Sequence, residues 1–153
     1  MLKVHLVILL IILSFLQGIG QENYTDSLRN VIADSPDDST KVNLLLDLAA
    51  NYYRTSASEA IALGEEARDL AIKINYQKGL GFAYKTIGLG YLYKNVPLDA
   101  LLNWQQSLAT FQAINHRRGI ANILNNIGVI YYNQGDYETA REYSLESLRD
   151  ADD

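Results

Sequence analysis

Cysteine is absent from the 153 residues, which excludes disulfides and thiolate metal sites without assigning a compartment. Histidine is nearly absent. His5 lies in the leader and His116 falls between two helical patterns, where a solvated side chain is expected, and neither has the neighbouring ligands a zinc site needs. A basic excess is also missing, because 13 Lys and Arg stand against 18 Asp and Glu for a net charge of -5 of mixed sign, so no nucleic-acid binding is expected. No phosphate-binding glycine loop is present: Gly79, Gly81, Gly88 and Gly90 fall inside or at the start of a helical pattern, without the preceding strand that a nucleotide fingerprint requires. Acidic pairs such as Asp37-Asp38, Glu65-Glu66 and Asp152-Asp153 read as helix-start or surface charge. These absences predict a protein with no catalytic residues, no metal and no cofactor, of one modest globular unit.

What is present begins with an apolar leader. Lys3 and His5 precede Leu6 to Leu16, apolar except for Ser14, and Gly18-Ile19-Gly20 comes before the polar Gln21-Glu22-Asn23. A short basic region, an apolar run and a small-x-small site describe a secretory signal peptide over residues 1–20. The run is shorter than the roughly 20 residues of a membrane span, and without a cysteine at the cleavage point no lipid can be attached there. Cleavage after Gly20 would leave 12 basic and 18 acidic side chains, a charge of -6. The expected location is therefore exported, periplasmic or secreted, with membrane tethering only through this segment or a span beyond Asp153. Residues 21–35 form a polar leader with a short capping helix, Ser27 to Ala33, laying Leu28, Val31 and Ile32 over the first of the paired helices. Asn23-Tyr24-Thr25 matches an N-glycosylation pattern, a weak three-residue signal.

The remainder reads as paired helices. Ser35-Pro36-Asp37-Asp38 predicts a helix start with Ser35 as cap, carrying Val42, Leu45, Leu46, Leu48, Ala49 and Tyr52 and ending near Arg54. Ser56 with Glu59 three residues on has capping-box spacing and opens a helix through Ala60, Leu63, Ala67, Leu70 and Ile74. A third helix runs from about Gly79 to Lys94. Pro97 starts a fourth, in which Leu98, Leu101, Leu102, Leu108 and Phe111 carry the buried face and Trp104 is a core residue. From Gly119 to Asp150 apolar residues recur at helical spacing, break at Gly135 and resume as Tyr137, Ala140, Tyr143, Leu145 and Leu148. This last stretch repeats the one before it: Gly79, Ile87, Gly88, Tyr91, Ala100, Ser107 and Leu108 recur 40 residues later as Gly119, Ile127, Gly128, Tyr131, Ala140, Ser147 and Leu148. Gly88 and Gly128 mark close helix approaches, facing Ala100 and Ala140, with Tyr91 and Tyr131 filling the space one turn on.

Gly128, Tyr131, the turn Asn133-x-Gly135-Asp136-Tyr137, Ala140 and Ser147 resemble a tetratricopeptide (TPR) repeat in a long form of about 40 residues. The resemblance implies an all-α fold, a right-handed α-solenoid of about three repeats at about 39–78, 79–118 and 119–150 within a domain of residues 36–153. It also implies a concave groove, lined by the first helix of each pair, that binds a peptide or a partner helix. Mapped by spacing, the groove positions are Phe82, Lys85, Leu89, Leu92 and Tyr93 in the second repeat and Asn122, Asn125, Asn126, Val129, Tyr132 and Asn133 in the third. Asparagine is a poor helix-interior residue, so Asn122, Asn125 and Asn126 should be exposed, either pairing with a ligand's main chain or merely solvated. Asn126 matches the family's main-chain-binding asparagine, with Thr86 and Asp47 in its place earlier. A carboxylate clamp is not expected, since Leu89 and Val129 are apolar. The uncovered Leu145 and Leu148 point to a further segment beyond Asp153 or to self-association. The expected function is a non-catalytic interaction scaffold, and the alternative is the extracytoplasmic sensor region of a membrane histidine kinase, nucleotide cyclase or regulator of Bacteroidetes type.

Overall fold

A computed structural model describes residues 24–151, and among them the chain is all-α, with seven helices and no strand. The leader over residues 1–20, the proposed cleavage point and Asn23 of the glycosylation pattern lie outside the described residues. The chain divides into two compact units, residues 1–35 and 36–153.

In the first unit, α1 occupies residues 24–34, longer than the expected Ser27 to Ala33. Leu28 and Ile32, one turn apart, are buried, whereas Val31 lies off that stripe and is 49% exposed, against the expectation that it packs with them. Thr25 of the glycosylation pattern is buried in this helix. Ser35 ends it, its hydroxyl donating to the Val31 carbonyl at 2.6 Å.

Ser35 is therefore not the cap of the next helix. α2, Ser39–Ala50, is capped by Asp38, whose extended backbone leaves its carboxylate free to accept from the amides of Thr40 and Lys41. The helix stops at Ala50 rather than near Arg54, and the chain goes on in turns, with Thr55 and Ser56 both donating to the Tyr52 carbonyl. Ser56 caps α3, Ala57–Lys73, by accepting from the Glu59 amide, as the capping-box spacing predicts. Asp37 sits between Lys41 and Lys73, at 3.1 and 2.7 Å, and joins the approach to α2 to the end of α3.

From here the chain is metrical. α3, α4 (Gln77–Tyr93), α5 (Pro97–Ala113) and α6 (Arg117–Asn133) each have 17 residues, and from α3 to α7 (Tyr137–Ala151) successive helices start 20 residues apart. One turn geometry produces this spacing. Asn75, Asn95, Asn115 and Gly135 have φ of 56, 60, 52 and 83°, in the left-handed region. The amides of the residues after them, Tyr76, Val96, His116 and Asp136, reach back to the carbonyls of Ala71, Tyr91, Phe111 and Tyr131. This is the Schellman closure of a helix end, and asparagine and glycine are the residues that enter its left-handed position at least cost.

Consecutive helices of the second unit pack on one another. In addition α2 touches α4 and α4 touches α6, while α3 and α5, and α5 and α7, do not touch. The buried stripe of α5 is Ala100, Trp104, Ser107 and Phe111; Leu101 and Leu108 are half-buried. Leu98 and Leu102, expected in that face, are 68% and 53% exposed, because they fall on the opposite side of the helix from Trp104. Trp104 is fully buried, as expected, against Gly88 and among Ile120, Ile123 and Leu124 of α6. Two buried or half-buried serines repeat one bond: the Ser107 hydroxyl donates to the Gly81 carbonyl at 2.7 Å, and 40 residues on the Ser147 hydroxyl donates to the Ala121 carbonyl at 2.8 Å.

The two glycines at close approaches differ in how tightly they are pressed. A Cβ on Gly88 would fall 2.4 Å from Trp104 Nε1, and on Gly128 no nearer than 3.3 Å to any atom of α7. Gly88→Ala is expected to destabilise the chain by about 1–3 kcal/mol, since the buried indole has no room to yield. Gly128→Ala should cost less or be neutral, the gain in helix propensity of about 1 kcal/mol offsetting a small shift of α7. Urea unfolding of the two variants checks the order.

Candidate functional site

The first helices carry most of the residues assigned to a groove, and the structure divides them into two groups. On α4, Lys85 and Leu89 are half-buried and Tyr93 is 47% exposed. Tyr93 stacks on Tyr53 with ring centroids 5.8 Å apart and planes 10° from parallel. Burial pushes the Tyr53 hydroxyl above its ordinary range, and the Thr86 side chain beside it partly opposes that shift. Thr86 is itself buried. The residue standing in the asparagine position of the second repeat is therefore withdrawn from solvent.

Burial also holds the Lys85 ammonium below its ordinary value of 10.5. Its main chain has a separate role, because the Lys85 carbonyl accepts the indole N–H of Trp104 at 3.1 Å.

On α6 the asparagines part company. Asn122 is exposed as expected, but its amide donates to the Arg118 carbonyl of its own helix at 2.8 Å, the self-bonding that asparagine favours in a helix. Asn126 is half-buried rather than exposed, and it is not on the face that carries Asn125, because adjacent helical residues point about 100° apart. Asn125, Val129 and Tyr132, spaced i, i+4 and i+7, do come together. With Gly128 they form one wall of a pocket of about 420 Å³ whose other wall is Tyr137, Ala140, Arg141 and Ser144 of α7. Tyr132 and Tyr137 meet edge to face across it at 5.3 Å.

Sequence reasoning found three of these lining residues and missed the α7 wall. The signal was available in the 40-residue register: Ser144 stands where Trp104 stands one repeat earlier, a small residue in the place of the largest. It also misjudged His116. The imidazole is half-buried, not solvated. Its Nδ1 accepts from the Gly119 amide at 3.0 Å as the cap of α6, and its ring stacks on Phe111 at 5.0 Å and meets Phe82 edge-on. Phe82, mapped to the groove, is thus part of the packing around Phe111. Leu145 and Leu148 on α7 are 44% and 61% exposed.

Among the described residues no group of acidic residues and histidines could hold a metal ion, and no helix is long and apolar enough to cross a membrane. No protein-family model matches the chain, and no curated protein matches it.

The depressed lysine yields a pH-dependent expectation. The folded pKa lies below the unfolded one, so burying the ammonium weakens the fold in full at neutral pH, and that cost fades as pH rises through the folded value towards 10.5. Lys85→Met should therefore melt at a higher temperature than the parent at pH 7, with the difference shrinking as pH approaches 11. Melting curves of both proteins across that range check it, and taking the difference removes the shared contribution of Tyr53.

Proposed function

We propose that the second unit is a right-handed α-solenoid of three TPR repeats, at about 39–78, 79–118 and 119–150, and that it works as a non-catalytic scaffold. Its ligand is an extended peptide or a helix of a partner protein, held along the face shared by α2, α4 and α6. The observation that carries this reading is the pattern of alternate contacts. First helices touch one another in sequence and second helices do not, so the stack curves with α2, α4 and α6 on its inner side, the geometry by which repeat proteins build concave binding surfaces.

Along that side the exposed residues are of the kind that bind chains. Tyr93 and Tyr132 offer rigid aromatic surface with a polar tip. Lys85 supplies a cation that its partial burial leaves thinly hydrated, suited to an acidic group on the ligand, and Asn125 an amide able to pair with main chain. The scaffold is exported on this reading, which is supported by the basic, apolar and small-residue order of residues 1–20.

Selection of a random peptide library against the purified chain tests the groove. Peptides that bind should lose more than about tenfold in affinity, roughly 1.4 kcal/mol, with the double variant Leu89→Glu and Tyr93→Ala while far-ultraviolet circular dichroism stays the same. An empty selection, or peptides indifferent to that variant, would remove the groove from consideration.

A further inference from the structure

We propose that the pocket between α6 and α7 is a seat for the indole ring of a tryptophan carried by a partner polypeptide. The template for this seat lies inside the same chain. In the α4–α5 pair the matching space is filled by Trp104: its ring is fully buried, lies against Gly88, and donates from Nε1 to the Lys85 carbonyl at 3.1 Å. Forty residues on, the glycine and the alanine that flank the ring are kept and the ring is gone. Gly128 and Ala140 repeat Gly88 and Ala100, but Ser144 replaces Trp104, and its hydroxyl turns back to the Ala140 carbonyl of its own helix at 2.9 Å. The vacated space is the cavity of about 420 Å³, within the range of about 300–1,000 Å³ that ligand pockets occupy.

The chemistry of the walls selects for an indole over other apolar groups. Asn125 occupies the position of Lys85, so its carbonyl stands where Lys85 takes the indole N–H, and a helical carbonyl has a second lone pair to offer. A phenyl ring would fill the space and leave that acceptor unused. Tyr132 and Tyr137 provide an aromatic wall already in edge-to-face contact. Arg141 replaces the apolar Leu101 and brings a guanidinium to the pocket, a group drawn to the electron-rich face of an indole more than to any other side-chain ring. Asn125, Val129 and Tyr132 are exposed on the face assigned above to peptide binding. The choice of a polypeptide as the source of the ring rests on that reading.

Titration of the 15N-labelled full chain with N-acetyl-tryptophanamide, indole and 1-methylindole, followed through the backbone amides of Asn125, Gly128 and Ser144, tests the seat. Saturable shifts centred on α6 and α7 are expected for N-acetyl-tryptophanamide, with Kd of about 1 mM or tighter. 1-Methylindole, which lacks the N–H, should bind about three- to tenfold more weakly than indole. Ser144→Trp should abolish the shifts by filling the seat from within, and should raise Tm. Arg141→Ala, a change at an exposed lining position, should weaken binding several-fold even if Ser144→Trp does not fold. Shifts that do not saturate, or that survive unchanged in both variants, would overturn the proposal. So would binding of free indole with none of N-acetyl-tryptophanamide, which would make the ligand a small heterocycle. Failure of the tryptophan probe beside peptides that depend on Leu89 and Tyr93 would remove the seat and leave the groove. A probe that binds beside an empty peptide selection would do the reverse.

Discussion

Four residues in left-handed conformation set the geometry of the second unit. A helix that ends in a Schellman closure returns the chain in three residues, and 17 helical residues plus those three make the period of 20 that runs from Ala57 to Tyr137. Two such periods are the 40-residue repeat visible in the sequence. Asparagine fills three of the four positions and glycine the last, and the strain of a left-handed non-glycine residue is lowest for asparagine among the common alternatives. The junction between α2 and α3 has no left-handed residue, and there the chain unwinds through looser turns. α2 is also shorter, at 12 residues.

With the backbone spacing set, side-chain volume decides what each helix pair encloses. Gly88 admits the indole of Trp104 to the space between α4 and α5, and α6 adds Ile120, Ile123 and Leu124 to the same buried cluster. Gly128 makes the same approach possible between α6 and α7, but Tyr143 stacks on Tyr131 instead and Ser144 is too small to fill what remains. The same backbone plan therefore yields a sealed core in one pair and an open pocket in the next. Serine hydroxyls at 107 and 147 bond to the main chain of the preceding helix in both, so the helices are held in one register whether or not the space between them is filled.

Polar residues on the first helices are less free than their types suggest. Thr86 is buried, Asn122 is bound to its own helix and His116 to the amide of Gly119. What remains for a ligand is a short run of aromatic, apolar and amide surface on α4 and α6, ending at the pocket that Asn125, Val129 and Tyr132 share with α7.

The sequence by itself determined the helices, the repeat, the close approaches at Gly88 and Gly128 and the burial of Trp104. Each depends on spacing along one chain, on the 3.6-residue helical period and on residue size. Tertiary structure alone decided that Asp38 and not Ser35 caps α2, that His116 is a cap and that Asn125 rather than Asn126 faces the pocket. These depend on which neighbouring atoms compete for a group and on the rotation of a helix about its axis, and periodicity leaves that rotation uncertain by a large part of a turn. The pocket belongs to the same class, because a cavity is defined by two helices at once and by the side chain that neither of them supplies.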